Sequence, residues 1–301
     1  MTRRPFVTRA YDPQVPASLL DRPRAGLAQA VRDRIAGSEF DEIHHRIWNT
    51  PGERWFGEGD AIWRVHADTA MFIGGMRALL LQSLHPVAML GVSEHSDFRT
   101  DPWGRLQRTS KFLTMTTFGT VADAERSIAI VRAIHRRVRG TTADGRAYRA
   151  DDPDLLMWIH IAEIDSFLRS HQHFGAETLT PAEADQYVAQ TGRVAEKLGV
   201  ADPPRSVADL DRLLDAYRPE LKASPPAFEA AALLLRDPPL EGPAKVGYRL
   251  LAQGAVSILP AWARSQLQLP TLPIRDRLVA RPLARTALGT LRWALTGGTA
   301  V

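Results

Sequence analysis

Cysteine is absent from all 301 residues, and that absence removes disulfides, iron–sulfur clusters, thiol nucleophiles and thiolate-ligated haem together. Any metal held by this protein has to sit on nitrogen or oxygen, which leaves His, Asp, Glu and Tyr as ligands. Apolar runs long enough to cross a bilayer are missing as well. The pair Arg3-Arg4 suggests a twin-arginine export signal, but Asp12, Pro13, Pro16 and Asp21 interrupt the stretch after it. Such a signal needs an apolar segment there, so residues 1–24 read as an extended arm on a cytoplasmic protein. A third scarcity is period-two alternation of β-branched residues, without which no substantial sheet is expected.

What is present instead is helical periodicity. Apolar residues recur near a 3.6-residue spacing along most of the chain and composition nowhere divides it. The sequence therefore predicts an all-α fold with a single large helical domain over 25–270. Predicted helices include 26–38, 59–84, 105–118, 121–139, 153–173, 181–198 and 272–295, several with proline near the start, where its missing N–H does no harm. Stretches 140–153 and 199–206 read as turn-rich connectors. Within 59–84, Gly74 and Gly75 cost about 1 kcal/mol each relative to alanine. Ala70, Gly74 and Ala78 form a small-residue strip suited to close contact with another helix or with a flat ring. The net charge of +4 rests on arginines scattered along the chain. No zinc, helix-turn-helix or base-stacking motif accompanies them, so nucleic acid is not an expected partner.

The stretch 131–140, VRAIHRRVRG, sets one imidazole among apolar residues and four arginines. Ala124, Ile128, Val131, His135 and Val138 fall at helical spacings after the breaker and N-cap pair Gly119-Thr120, so His135 lies on the apolar face. Two readings stand open for it: a core histidine bonded to a backbone carbonyl, or a ligand presented to something buried. Arg132, Arg136 and Arg139 line a neighbouring face, where solvent-side carboxylates or the acidic groups of a cofactor would pair with them. In the preceding run, DPWGRLQRTSKFLTMTTFGT, the residues Arg105, Arg108, Thr109, Phe112 and Thr116 share a face expected to be at least half-buried. That face suits anion pairing or a polar catalytic pocket; a surface salt-bridge face is the plain alternative. Rival metal-capable residues are His66, the pair His160 and Glu163, and the pair Glu42 and His45, whose spacing is that of di-iron carboxylate proteins. The di-iron motif needs two such pairs and two more inward glutamates, whereas the sequence offers one forward pair and one reversed. His44, His95, His171 and His173 read as surface or turn residues.

In order along the chain, EGDAIWRVHADTAMFIGGMRALLLQSLHPVAMLGVSEHSDFRTDPWGRLQRTSKFL, VRAIHRRVRG and DPDLLMWIHIAEIDSFLRSHQHFG resemble the family of the latex-clearing rubber oxygenases and the farnesyl-chain-cleaving, mpaB-type oxygenase of mycophenolic acid synthesis. The resemblance spans roughly residues 35–260. It implies globin-like helical packing around a b-type haem, one proximal histidine, and an Arg-x-x-Lys-Thr motif near the oxygen-binding side. By position it makes His135 the ligand of the haem iron and Arg105-x-x-Arg108-Thr109 the motif, with Arg108 where the family has lysine. It further implies that Arg105 or Arg108 polarises oxygen on the side opposite His135, that Thr109 donates a hydrogen bond or positions water, and that Arg132 or Arg139 pairs with the propionates. The export signal of the rubber oxygenases is not seen here.

The resulting expectation is a haem b-dependent oxygenase taking dioxygen and an apolar, unsaturated, isoprenoid-like substrate, with Leu, Ile, Phe and Trp side chains for a pocket. A protein that binds haem or a hydrophobic ligand without turning it over, and a non-haem di-iron oxygenase, are the alternatives. Residues 271–301 read as a separate basic amphipathic helix, with Arg275, Arg277, Arg281, Arg285 and Arg292 beside Leu278, Leu288, Leu291 and Leu295, interrupted at Pro282. Such a helix either lies on an anionic membrane or packs on the domain or on a second subunit of a homodimer.

Overall fold

A computed structural model describes residues 21–35 and 37–295. Most of the expected N-terminal arm, and residues 296–301 of the C-terminal element, lie outside those residues. Position 21 already begins a helix. In chain order the helices are α1 (Asp21–Ile35), α2 (Phe40–Asn49), α3 (Ala61–His66), α4 (Met71–Gln82), α5 (Pro86–His95), α6 (Pro102–Phe118), α7 (Val121–His135), α8 (Pro153–Phe174), α9 (Pro181–Leu198), α10 (Val207–Tyr217), α11 (Pro225–Leu235), α12 (Gly242–Ser257), α13 (Ala261–Gln266), α14 (Pro273–Arg275) and α15 (Arg281–Leu295). The only sheet among the described residues is the antiparallel hairpin of β1 (Arg139–Thr141) and β2 (Ala147–Arg149), with Gly140 opposite Tyr148. The fold is all-α, as the periodicity implied.

Helices α4 and α8 form the centre. They run antiparallel: Ser170 Oγ donates to Ala70 O at one end, and Gln82 Nε2 donates to Ile159 O at the other. The glycine strip serves this contact, because a Cβ at Gly74 would lie 2.8 Å from the Phe167 ring and 3.2 Å from its Cα. No side chain other than hydrogen fits there, so the strip is a helix–helix contact and not a seat for a ring. Buried across the same interface, Arg77 and Asp165 pair at 2.7 Å. Arg77 also donates to Ser166 Oγ at 2.7 Å and to Ile258 O at 3.1 Å, which ties α12 to the pair. A second apolar cluster, with Ile73, Ala255, Ala284 and Leu288 fully buried, seats α12 and α15 on α4.

The single long helix expected over 59–84 is two helices broken at 67–70. Asp68 explains the break: its Oδ1 accepts from Ala70 N at 2.7 Å and its Oδ2 from Ala176 N at 2.9 Å. A short acidic side chain that offers the backbone these partners competes with the helical ladder. The connector 140–153 contains the β-hairpin, and α7 stops at His135, short of the expected 139. Pro282 does not interrupt the last helix. The backbone passes from α14 through a π-helical stretch, Asp276–Ala280, into α15, and Pro282 sits in the first turn, where a missing N–H costs little.

Candidate active site

Helices α6 and α7 are joined by Gly119 and Thr120 alone and pack on one another as a hairpin. Thr120 caps α7 by accepting from Asp123 N at 3.2 Å, and Asp123 pairs with Arg46 at 2.7 Å. Arg105 and His135 lie about equally far from that turn along their helices, so the hairpin returns them to the same end. A second link agrees. The β-hairpin after His135 is clasped to α5 by Tyr148, whose hydroxyl donates to Glu94 Oε2 at 2.5 Å, and α5 leads through residues 96–101 to the start of α6.

The α6–α7 hairpin packs on α3 and α9, which in turn pack on α8. At one end, His66 of α3 bridges the elements: its Nδ1 lies 2.8 Å from Thr117 Oγ1 of α6, its Nε2 lies 3.3 Å from Tyr187 OH of α9, and its ring stands edge-on to Phe167 of α8. At the other end, Asp151 at the foot of α8 lies in the electrostatic field of His135.

Five side chains on α3, α6, α7 and α8 combine partial exposure with shifted titration. His66, Arg105, His135, His160 and Glu163 are half-buried, and burial is the largest influence on the titration of each. It lowers His66 to about 3 and His160 to about 4, raises Glu163 to about 7, and lowers His135 and Arg105. Partners are missing too. His135 Nδ1 and His160 Nε2 are buried without a hydrogen bond, and so is Asp151 Oδ1. Among the described residues neither Glu163 nor Arg105 makes a side-chain hydrogen bond or ion pair. Buried polar atoms left this way are rare in a finished core and mark places where a ligand or cofactor completes the bonding.

The other expected site residues fall elsewhere. Arg108 and Thr109 are exposed, not half-buried: Arg108 reaches Asp101 at 3.6 Å, and the Thr109 hydroxyl turns back to Arg105 O at 3.1 Å. Arg132 Nη1 donates to Lys197 O at 3.3 Å, and Arg139 reaches Asp151 at 4.0 Å. Glu42 and His45 are both exposed on α2, and among the described residues they are not grouped with His160 and Glu163 as metal ligands. His171, expected at the surface, is 3% exposed, with both ring nitrogens buried and unpartnered beside His66. The reason is that α8 carries its apolar face through to Phe174, and His171 lies on that face.

Sequence reasoning passed over His85. It caps α5, accepting from Ala88 N at 3.3 Å through Nδ1, and its Nε2 is buried near Asp154 and Glu220, with ligand atoms of the three within 4.8 Å of one another. The dipeptide His85-Pro86, a side-chain acceptor before a first-turn proline, was the signal for the cap. The group has the residue types of a metal site. Its tautomer argues otherwise: with Nδ1 accepting, a neutral ring carries its proton on Nε2, which makes His85 a donor toward the two carboxylates and not a ligand. Asp154 is further engaged by Tyr217 OH at 2.6 Å.

An all-helical domain with buried, unpartnered histidine nitrogens at His135, His160 and His171 fits the resemblance read from the sequence. The comparison with known families agrees: residues 63–293 match the catalytic domain described as ER-bound oxygenase mpaB/B'/rubber oxygenase, and the chain belongs to that family. It is an enzyme of the oxidoreductase class. No curated protein and no solved structure matches the chain.

Proposed function

We propose that this protein is a haem b-dependent oxygenase that acts on an apolar, unsaturated, isoprenoid-like substrate, with His66, Arg105, His135, His160 and Glu163 lining its reaction chamber. The observation that carries the reading is His135, half-buried with Nδ1 buried and unpartnered, where burial keeps the ring neutral against the pull of the Asp151 carboxylate. A neutral ring with its proton on Nδ1 leaves the Nε2 lone pair free, the arrangement in which histidine binds iron. Arg139 and Arg149, at 4.0 and 3.7 Å from Asp151, keep that carboxylate in place. Haem, when bound, supplies the activation of dioxygen.

The chain supplies the rest. Arg105 sets an unpaired positive charge in a desolvated wall, where it acts on an anionic group far more strongly than in water. Arg108 and Thr109 stand on the exposed side of the same helix and reach the chamber only by changing rotamer. Glu163, raised to about 7, is divided between its protonated and ionised forms at neutral pH and is poised to give up a proton or take one back. His160 stays neutral beside it and offers Nε2 to a second partner. Trp63, Phe118 and Phe167 close the His66 end against water.

The test is direct. Protein purified from cells supplied with haem should carry a Soret band with stoichiometric iron, and on reduction should consume dioxygen only when a polyprenyl alkene is present. A coloured protein without alkene-dependent uptake would make it a haem carrier; a colourless one would refute the reading.

A further inference from the structure

The last helix presents a surface that the chamber does not explain. Between residues 272 and 283, five large apolar side chains stand in solvent: Leu272, Ile274, Leu278, Val279 and Leu283, with Ile274 74% and Leu278 67% exposed. Scattered exposed leucines are ordinary, but a contiguous group of this size on one short stretch marks a surface that meets something apolar. The same stretch is strongly cationic. Arg275 and Arg277 are exposed among those side chains, Arg285 turns back to donate to His173 O at 3.0 Å, and from residue 271 onward the sequence holds one acidic residue, Asp276. That carboxylate is turned inward, buried, and paired with Arg264 at 2.6 Å. The outward face of α14, the π-helical stretch and the start of α15 thus carries positive charge and no negative charge.

The face is also held rigidly. Leu288 and Ala284 are fully buried against α4 and α12, and Arg281 donates to Ser257 O at 3.0 Å. The buried Asp276–Arg264 pair fixes the π-helical stretch in between. The exposed apolar side chains are therefore presented by a docked helix and not by a frayed end. No helix among the described residues is long and apolar enough to cross a membrane, so the face can rest on a bilayer but does not lead into it.

We infer that residues 272–283 form a docking face for an anionic lipid surface, with Ile274, Leu278, Val279 and Leu283 entering the interface and Arg275 and Arg277 reaching the phosphates. Arginine suits this role, because its stem lies along apolar surface while the guanidinium stays among headgroups. The absence of outward acids singles out an anionic bilayer over a neutral one.

The experiment is sedimentation of the full-length protein with vesicles of phosphatidylcholine alone and with vesicles that also contain phosphatidylserine. The protein should pellet with the second and stay in solution with the first. Added salt should release it. The variant Ile274→Glu/Leu278→Glu, changed only at exposed positions, should remain helical with unaltered melting and lose pelleting. Arg275→Gln and Arg277→Gln should each weaken it by about fivefold. Equal pelleting by wild type and the glutamate variant would overturn the inference. So would a wild type that ignores anionic vesicles, whether gel filtration shows a dimer that the variant breaks, which would assign the face to a second copy, or the variant melts early, which would assign it to another part of this chain.

Discussion

Helix α8 has two sides, and they treat polar groups in opposite ways. Toward α4 it carries Asp165, Ser166 and Ser170, all buried and all satisfied: Asp165 pairs with Arg77 and Arg169, Ser166 accepts from Arg77, and Ser170 donates to Ala70 O. On another side it carries His160, whose Nε2 is buried without a partner, and Glu163, which among the described residues makes no side-chain hydrogen bond or ion pair. Both environments are desolvated, so burial alone does not separate structure from chemistry. Completion of the bonding does. Where every donor meets an acceptor the polar groups fix the register of two helices, and where they are left open the protein holds reactivity in reserve.

The comparison breaks most severely on the satisfied side. Arg77→Met leaves the Asp165 carboxylate buried with its main partner gone, and should destabilise the protein by about 3–5 kcal/mol in denaturant unfolding. The double change Arg77→Met/Asp165→Leu removes the stranded charge and should recover much of that loss. Equal destabilisation by the single and double variants would mean that shape and not charge holds the interface.

On the open side the sign reverses. Burial raises the folded-state titration of Glu163 from 4.5 to about 7, so its contribution to stability is fully present below pH 4.5 and is lost as pH rises through 7. Glu163→Gln, which cannot ionise, should make the cofactor-free protein more stable at pH 8, on the order of a few kcal/mol, with the gain fading toward pH 4.5. His160 and His66 act over the opposite window. Lowered to about 4 and about 3, they leave stability intact above pH 6.5 and erode it as pH falls toward those values. Thermal melting of His160→Gln across pH 4 to 8 should show a shallower acid limb than wild type. Smallest of all is the contrast along α6. Arg108→Ala removes an exposed pair worth no more than about 1 kcal/mol and should leave cofactor content and melting close to wild type. Arg105→Ala should keep the cofactor and slow oxygen uptake. Equal kinetic loss in both would bring Arg108 into the chamber.

The sequence made the helices legible because their apolar spacing survives packing, and it made His135 legible because that residue falls on such a stripe. It did not show the break at 67–70, which depends on Asp68 reaching Ala176 across the fold. Nor did it show that His171 is buried or that Arg77 meets Asp165, since both depend on how α8 faces its neighbours. The face of Arg105, Arg108 and Thr109 reads as one stripe on a helical wheel. Only Arg105 keeps it, because the first half of α6 is open to solvent along much of its girth.

The central claim is that the chamber holds haem on His135, and it is tested by comparing wild type, His135→Ala and His160→Ala, each expressed with haem supplied, by absorption spectrum and iron content. The account predicts a Soret band in wild type and in His160→Ala, its loss in His135→Ala, and a helical far-ultraviolet spectrum for all three. A His135→Ala protein that keeps full haem and iron, or a His160→Ala protein that alone loses them, would contradict it.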